Sequence, residues 1–211
     1  MNIRTTLALC LLALASSACV TTTEGGQAPR EDVNTTPWLA PSPVLREQID
    51  EQLERLPWTH GAERVEQIRW LASVGEAAFE QVLPMCLDPR PDVAGAALAA
   101  LGATGDNRLV VAIRELDWPA DDKLDKGLRL ERARTLVRLG DWTQLTVLVD
   151  GLADEEYWTR AWCSQALNEA TKRRFEYDPK GSPESRAAAV ARWREWIDSR
   201  RVEGLLPGER G

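Results

Sequence analysis

The feature that most constrains the fold is a helical spacing of apolar residues that begins near Ser42 and continues along the chain. Apolar side chains recur at intervals of three and four residues, which places them on one face of a helix. The two clearest stripes are Phe79, Val82, Leu83, Cys86 and Leu87, and Trp142, Leu145, Leu148, Val149 and Leu152. No segment of comparable length alternates with the two-residue period of a strand, so the sequence predicts an all-α fold.

A short phrase of the form L-x-x-[VL]-G recurs in this helical part. It begins at Leu71, Leu98 and Leu136, and a fourth, incomplete copy begins at Leu167. After each of the first three copies comes a second amphipathic stretch and then an acidic or proline-containing turn. The sequence therefore predicts a repeated unit of two helices joined at a glycine corner, in which neighbouring units bury the apolar face that one helical hairpin leaves open.

With these phrases the chain resembles bacterial HEAT-like repeat proteins, whose paired antiparallel helices stack into a solenoid. The likeness is strongest in residues 97–106 and 131–142, and residues 175–179 lead to a tryptophan-bearing last helix. The resemblance implies a short α-solenoid of four units over about residues 61–201. An irregular helical bundle remains the alternative, because successive phrases lie 27, 38 and 31 residues apart.

The predicted repeat domain covers residues 42–201 and is followed by a C-terminal tail at 202–211. Its first and last helices each begin with a capping serine and a proline at the first helical position, Ser42-Pro43 and Ser182-Pro183. Both helices are rich in charge, which suits the terminal units of a solenoid. Val190, Trp193 and Ile197 are expected to form the inward face of the last one.

The N-terminus has the pattern of an export signal. A positive end precedes an apolar run at 7–15 that is too short to span a membrane, and small residues then lead to Cys19. Residues 14–19 resemble the lipoprotein box of bacteria, which implies that residues 1–18 are removed and that Cys19 is lipidated. An ordinary secretory cleavage at the same bond is the alternative.

The resemblance to lipoproteins also implies a location. Val20 after the cysteine favours the outer membrane, so we expect a lipid-anchored protein of the cell envelope. Residues 19–41, rich in Thr, Gly, Pro and charge, are the predicted lipidated cysteine and flexible tether. The full chain has a net charge of −7, and an acidic chain is not expected to bind nucleic acid through its overall field.

Few residues suit nucleophilic chemistry. The single histidine, His60, excludes multi-histidine metal sites and is expected at the surface. Cys86 lies on an apolar stripe and Cys163 shares a helical face with Leu167, so both are predicted to be buried thiols. A disulfide between them stays open, because export permits one and the sequence does not fix their distance.

The densest acidic group is Asp150, Asp154, Glu155 and Glu156. Carboxylates of this kind suit a Ca²⁺ ion or an acid/base pair. Acids immediately ahead of a helix also stabilise its positive end, and we favour this interpretation for residues 154–156. The sequence accordingly predicts no catalytic residue, no metal site and no cofactor.

The tryptophans are the better lead, since they make up nine of the thirteen aromatic residues. The helix after Asp154 has apolar side chains around much more of its circumference than the roughly 100° stripe that one buried face needs. Either this helix packs on two sides, or Trp158 and Trp162, with Arg160 between them, form a partner-binding surface. Tryptophan and arginine are typical of interface hot spots.

We therefore expect a non-enzymatic envelope lipoprotein whose helical-repeat surface binds an unknown protein partner, as a scaffold or adaptor. This expectation rests in part on analogy at the level of the fold. Two alternatives stay open: an envelope enzyme or enzyme subunit that uses its carboxylates, and a carrier that holds an apolar ligand in its groove.

Overall fold

The computed structural model describes residues 37–202, and every regular element within them is a helix. The α-helices are α1 Pro43–Arg55, α2 Gly61–Val74, α3 Phe79–Val82, α4 Pro91–Thr104, α5 Leu109–Arg114, α6 Lys126–Arg138, α7 Leu145–Gly151, α8 Tyr157–Thr171 and α9 Pro183–Val202. The all-α prediction is confirmed for this part of the chain. The predicted signal segment, Cys19 and most of the predicted tether and tail lie outside the described residues.

The first and last helices begin as their sequences predict. The Ser42 hydroxyl accepts a hydrogen bond from the Leu45 amide at 3.3 Å, and the Ser182 hydroxyl accepts one from the Ser185 amide at 3.2 Å. In both helices a proline occupies the first position, where no intrahelical donor is needed. Between residues 37 and 202, no helix combines the length and the apolar character needed to cross a membrane.

Helices α2, α4, α6 and α8 pack side by side in that order. At the helix starts, Arg64 of α2 lies 2.8 Å from Asp92 of α4, and Lys126 of α6 lies 3.2 Å from Asp154 and 3.0 Å from Glu156, just ahead of α8. Along α4, Gly95 faces Glu131 of α6 and Gly102 faces Thr135, so these two helices run in the same direction. The four helices are therefore parallel, with their N-terminal ends along one edge of the domain. We call this the helix-start edge, and it comprises residues 56–64, 88–92, 117–129 and 152–160.

The other helices pack against these four, and one of them departs from the prediction. The stripe that begins at Phe79 is α-helical only as far as Val82, and a 3₁₀ segment continues to Leu87. Pro84 lies in that segment and has no amide hydrogen to donate, so it does not extend an α-helical ladder. Leu87 consequently turns outward and is 38% exposed, whereas the other members of the stripe are buried.

Glycines end three of the four helices of the parallel layer, α2, α4 and α6. Gly75, Gly105 and Gly140 have φ values of 68°, 71° and 102°, which residues with a side chain rarely adopt. An acid follows each of them, and a buried leucine lies four residues before it. The predicted corner at Gly102 is wrong, because α4 continues through that residue to Thr104.

Gly102 has a different role, which is to allow α4 and α6 to approach each other. A Cβ at this position would lie 3.2 Å from the side chain of Thr135. The Thr135 hydroxyl donates a hydrogen bond to the carbonyl of Leu98 at 3.0 Å. The glycine that ends α4 is therefore Gly105, four residues after Leu101, and Thr104 stands where the phrase has Val or Leu.

The apolar core is divided between the two halves of the domain. One large cluster is formed mainly by α1 to α6 and another by α6 to α9. In the second cluster the predicted inward face of α9 is confirmed, since Val190, Trp193 and Ile197 are buried. The Trp193 ring packs edge-on against Phe175 with centroids 4.7 Å apart, so it anchors the last helix.

The N-terminal boundary of the packed domain lies upstream of residue 42. Trp38, which the sequence placed in the tether, packs edge-on against Phe79 at 5.0 Å. The Arg108 guanidinium lies 5.3 Å from the centre of the Trp38 ring. The Leu39 amide donates a hydrogen bond to Glu76 at 3.1 Å. The end of the predicted tether is thus fixed to the body of the domain.

Both predicted buried thiols are confirmed. Cys86 and Cys163 are free and buried, each in a different core cluster. Burial raises the pKa of each thiol to about 12, so neither is a thiolate at neutral pH. The disulfide that the sequence left open is not formed between them.

Gly151, the last residue of α7, lies directly against Cys163, and a Cβ at position 151 would overlap the Cys163 sulfur. We expect Gly151→Ala to lower the free energy of unfolding by about 1–3 kcal/mol through overpacking, as measured by urea denaturation. Cys163→Ala in the same chain is expected to relieve much of this loss, since it removes the atom in conflict. Fully additive losses in the double variant would contradict this explanation.

Candidate functional site

Helix α8 separates the three residues that the sequence grouped as a partner-binding surface. Trp158, the second residue of the helix, is 78% exposed. Trp162 is only partly exposed, and the Arg134 guanidinium lies 5.2 Å from its ring centre. Arg160 is buried. Of the three, Trp158 is the one whose side chain is largely open to solvent.

Arg160 connects two loops through the carbonyl groups of the main chain. Its Nε and Nη2 atoms each donate to the carbonyl of Pro179 at 3.0 Å. Its Nη1 atom donates to the carbonyls of Asp154 at 2.9 Å and Glu155 at 2.7 Å. The loop before α8 is thereby tied to the loop before α9, and the surface around Trp158 is built without the Arg160 guanidinium.

Arg64 plays a corresponding part at the other end of the helix-start edge. It is the fourth residue of α2, as Arg160 is of α8. Its Nη2 atom donates to the carbonyl of Leu56 in the preceding loop at 2.9 Å. Sequence reasoning did not single out this pair, although the common position of the two arginines after a helix start was the available signal.

The acidic group ahead of α8 is engaged in local contacts. Asp154 accepts a hydrogen bond from the Glu156 amide at 2.9 Å, within the loop just ahead of α8. Lys126 donates to Asp154 at 3.2 Å and to Glu156 at 3.0 Å. The hydrogen bond from Lys126 lowers the pKa of Glu156. These carboxylates therefore join α6 to α8 as ion-pair partners.

Asp150, another member of the acidic group predicted from the sequence, forms an ion pair with Arg194 of α9 at 2.9 Å. His60, also exposed as predicted, immediately precedes α2. Within residues 37–202, no group of three or more His, Cys, Asp or Glu side chains is arranged to hold a metal ion.

Three tryptophans lie on the helix-start edge. Trp58, in the loop before α2, is 79% exposed, and Trp158 is exposed to nearly the same extent. Trp118, in the loop before α6, is partly buried. Its Nε1 atom donates to the carbonyl of Ile113 at 2.7 Å, and the Arg132 guanidinium lies 5.0 Å from its ring centre. The edge therefore has two exposed tryptophans with a fixed one between them.

A cleft of about 310 Å³ opens between the loops that precede α4 and α6. We call it the proline cleft, since proline, leucine and tryptophan side chains form most of its walls. Its apolar wall residues are Cys86, Leu87, Pro89, Pro91, Trp118, Pro119, Leu124 and Leu128. Carboxylates and one lysine lie around it. The cleft lies on the same edge as the two exposed tryptophans, between the ends of that edge.

A further unusual group is Glu131, which is largely but not fully buried where α6 packs against α4. Its Oε1 atom has no hydrogen-bond partner among the described residues. Its nearest cation is Arg134, 3.7 Å away. Burial raises the pKa of the Glu131 carboxyl, and the charges of Arg134 and Arg138 offset this only in part.

We expect Glu131→Gln to stabilise the protein at pH 7. Because the folded state binds the Glu131 proton more tightly than the unfolded state does, stability falls as the pH rises above the ordinary carboxyl value of 4.5. The neutral amide avoids this loss. Urea denaturation of both proteins at pH 7 and pH 4 measures the difference between their free energies of unfolding. The greater stability of the variant should shrink at the lower pH. A larger stability difference at pH 4 than at pH 7 would contradict the raised pKa of Glu131.

No family model, no curated protein and no solved structure matches the chain significantly. The class that residues 37–202 define is an all-helical domain with one layer of four parallel helices. Its distinctive surface is the helix-start edge, with two exposed tryptophans and the proline cleft. An assignment of function therefore depends on the chemistry of that edge.

Proposed function

We propose that this protein is a lipid-anchored binding module of the cell envelope, and of the outer membrane in particular. In this proposal Cys19 carries the lipid, the following residues act as a tether, and a short HEAT-like solenoid presents the helix-start edge to a protein partner. The observation that carries the proposal is the exposure of Trp58 and Trp158, by 79% and 78%, on that one edge.

Several features favour a solenoid over an irregular bundle. Each helix of the parallel layer contacts the next one, as stacked units require. Gly75, Gly105 and Gly140 provide equivalent corners, and Arg64 and Arg160 provide equivalent links to the preceding loops. With the corrected register the corners lie 30 and 35 residues apart, which is more even than the spacing that the sequence phrase suggested.

The exposed tryptophans favour a partner because of their energetic cost in water. A tryptophan contributes about 150–250 Å² of largely apolar surface, and its burial at an interface is strongly favourable. Tryptophan is also enriched among the few residues that supply most binding energy at protein interfaces. Trp158 makes an edge-on ring contact with Tyr157 at 4.9 Å, so it is already partly oriented for contact.

A photo-crosslinking amino acid at position 158 tests the proposal in the full chain, expressed in its native cells. We expect a discrete adduct with one protein. The matched control carries the same group at Val111, which is 37% exposed and lies on α5, away from the helix-start edge. If position 158 yields only the bulk neighbours that position 111 also captures, the binding function is wrong.

The anchor is tested separately by mass spectrometry of the mature N-terminus. We expect an acylated Cys19 and no trace of residues 1–18. Cys19→Ser is expected to release the protein from the membrane fraction. An unmodified Cys19 thiol would contradict the anchor and would leave the proposed binding edge to be judged by the crosslinking result.

A further inference from the structure

The geometry points to the proline cleft as the binding site for an extended segment of a partner protein, in which an apolar side chain is followed by a lysine or arginine. This inference rests on the proposed function, since it names the chemistry of the partner that the helix-start edge would bind. The cleft takes the apolar side chain, and the carboxylates around its mouth take the cation.

The cleft is pre-formed, which favours recognition at low entropic cost. Pro89, Pro91 and Pro119 have fixed φ angles, so they restrict both loops that form the walls. Trp118 is held by its hydrogen bond to the Ile113 carbonyl at 2.7 Å. The three prolines also present no amide hydrogen, so at these positions the walls offer apolar contact.

The size of the cleft suits a side chain of a larger molecule. A volume of about 310 Å³ is at the lower end of the range of about 300–1,000 Å³ for small-molecule pockets. Leu87, 38% exposed, forms part of the wall and leaves apolar surface accessible. One large apolar side chain of a partner fills such a space and shields Leu87 from water.

The charge around the mouth favours a cation beside that side chain. Three aspartates, Asp88, Asp117 and Asp125, and one lysine, Lys123, line the cleft, so carboxylates outnumber lysines there. Of the carboxylates that line the cleft, Asp88 is paired with Arg90 at 2.8 Å and Asp125 accepts the Leu128 amide at 3.0 Å. Asp117 is exposed to solvent at the same cleft.

The position of the cleft makes an extended segment the fitting occupant. The cleft lies at the starts of α4 and α6, with Trp58 beyond it at the start of α2 and Trp158 at the start of α8. Helices in contact are about 8–10 Å apart, so the full edge measures roughly 25–30 Å. A strand-like segment of about eight residues covers that distance.

The test uses the purified mature chain and a displayed library of random twelve-residue peptides as the probe. We expect the selected peptides to share an apolar residue followed by lysine or arginine. Leu87→Arg should weaken binding of the selected peptides by about tenfold or more, because the arginine fills the cleft. Asp117→Lys should weaken it by a similar factor, because it reverses the charge at the mouth. Both positions are exposed, so unchanged thermal unfolding is expected to show that the fold is intact.

The matched controls are Val111→Arg and Glu80→Lys. Like the test variants, they replace an apolar residue by arginine and a carboxylate by lysine, but at exposed positions outside the cleft. These variants should bind the selected peptides as the unaltered protein does. The inference is overturned if the selected peptides are acidic, if they bind all four variants equally, or if selection on the unaltered protein enriches nothing that selection on Leu87→Arg does not.

The crosslinking group at position 158 separates this inference from the proposed function. If Leu87→Arg and Asp117→Lys leave the discrete adduct unchanged, the partner binds the edge without using the cleft, and this inference is wrong while the function stands. If position 158 gives no discrete adduct in any background, the proposed function itself is wrong.

Discussion

Arg160→Ala is expected to lower the free energy of unfolding by about 3 kcal/mol, measured by urea denaturation followed by circular dichroism. The substitution leaves the carbonyls of Asp154, Glu155 and Pro179 without the donors that Arg160 provides at 2.7–3.0 Å. A buried group that loses its hydrogen-bond partner costs about 1–3 kcal/mol, and bonds to a charged donor are at the upper end. The loops before α8 and α9 should loosen together.

Arg160→Lys is expected to recover little of this stability. A lysine ammonium is a point donor, and it does not span three carbonyls that a planar guanidinium bridges from different sides. The matched control is Arg129→Ala, at the fourth residue of α6, where the side chain is exposed. Its effect should be within about 0.5 kcal/mol.

The same variants distinguish the two roles considered for Arg160. If Arg160→Ala unfolds at the same urea concentration as the unaltered protein but loses the adduct at position 158, then Arg160 is an interface residue and its assignment to loop packing is wrong. A loss of stability equal to that of Arg129→Ala would likewise contradict the structural role.

Trp193→Ala is the second substitution for which we expect a large effect, a loss of about 3–5 kcal/mol in the free energy of unfolding. Trp193 is buried in the core cluster of α6 to α9, with its ring 4.7 Å from that of Phe175 and 5.8 Å from that of Trp196. Removing the indole leaves a cavity that these neighbours fill only in part. The measurement is again urea denaturation.

Trp158→Ala makes the identical chemical change at a tryptophan that is 78% exposed. We expect its stability to remain within about 0.5 kcal/mol of the unaltered protein, together with loss of partner binding. Comparable losses of stability for the two variants would mean that α8 buries Trp158 or that α9 is not docked through Trp193.

The helical periodicity of the sequence was sufficient to predict the buried faces of the longer helices. Leu145, Leu148, Val149 and Leu152 are all buried, because side chains three and four positions apart necessarily share a helix face. The same reasoning predicted the burial of Cys163. It was less accurate at residues 79–87, where a proline changed the type of helix.

The position of the second corner was not available from the sequence. Both Gly102 and Gly105 follow a leucine of α4 by four residues, and the phrase selected Gly102 because Thr, not Val or Leu, precedes Gly105. The contact of Gly102 with Thr135 of α6 and the positive φ of Gly105 decide the register. Both depend on how far α4 runs before the chain turns.

By itself the sequence determined that the described domain is all-helical, where its terminal helices begin, and which side chains are buried along most of them. These properties depend on local spacing and capping. Only the tertiary structure decided that Trp158 is exposed, that Trp162 packs against Arg134, and that Arg160 bonds to the Pro179 carbonyl nineteen residues away. Trp158, Arg160 and Trp162 differ in exposure and contacts because each faces a different part of the fold. Which elements pack against α8 depends on residues distant in the sequence.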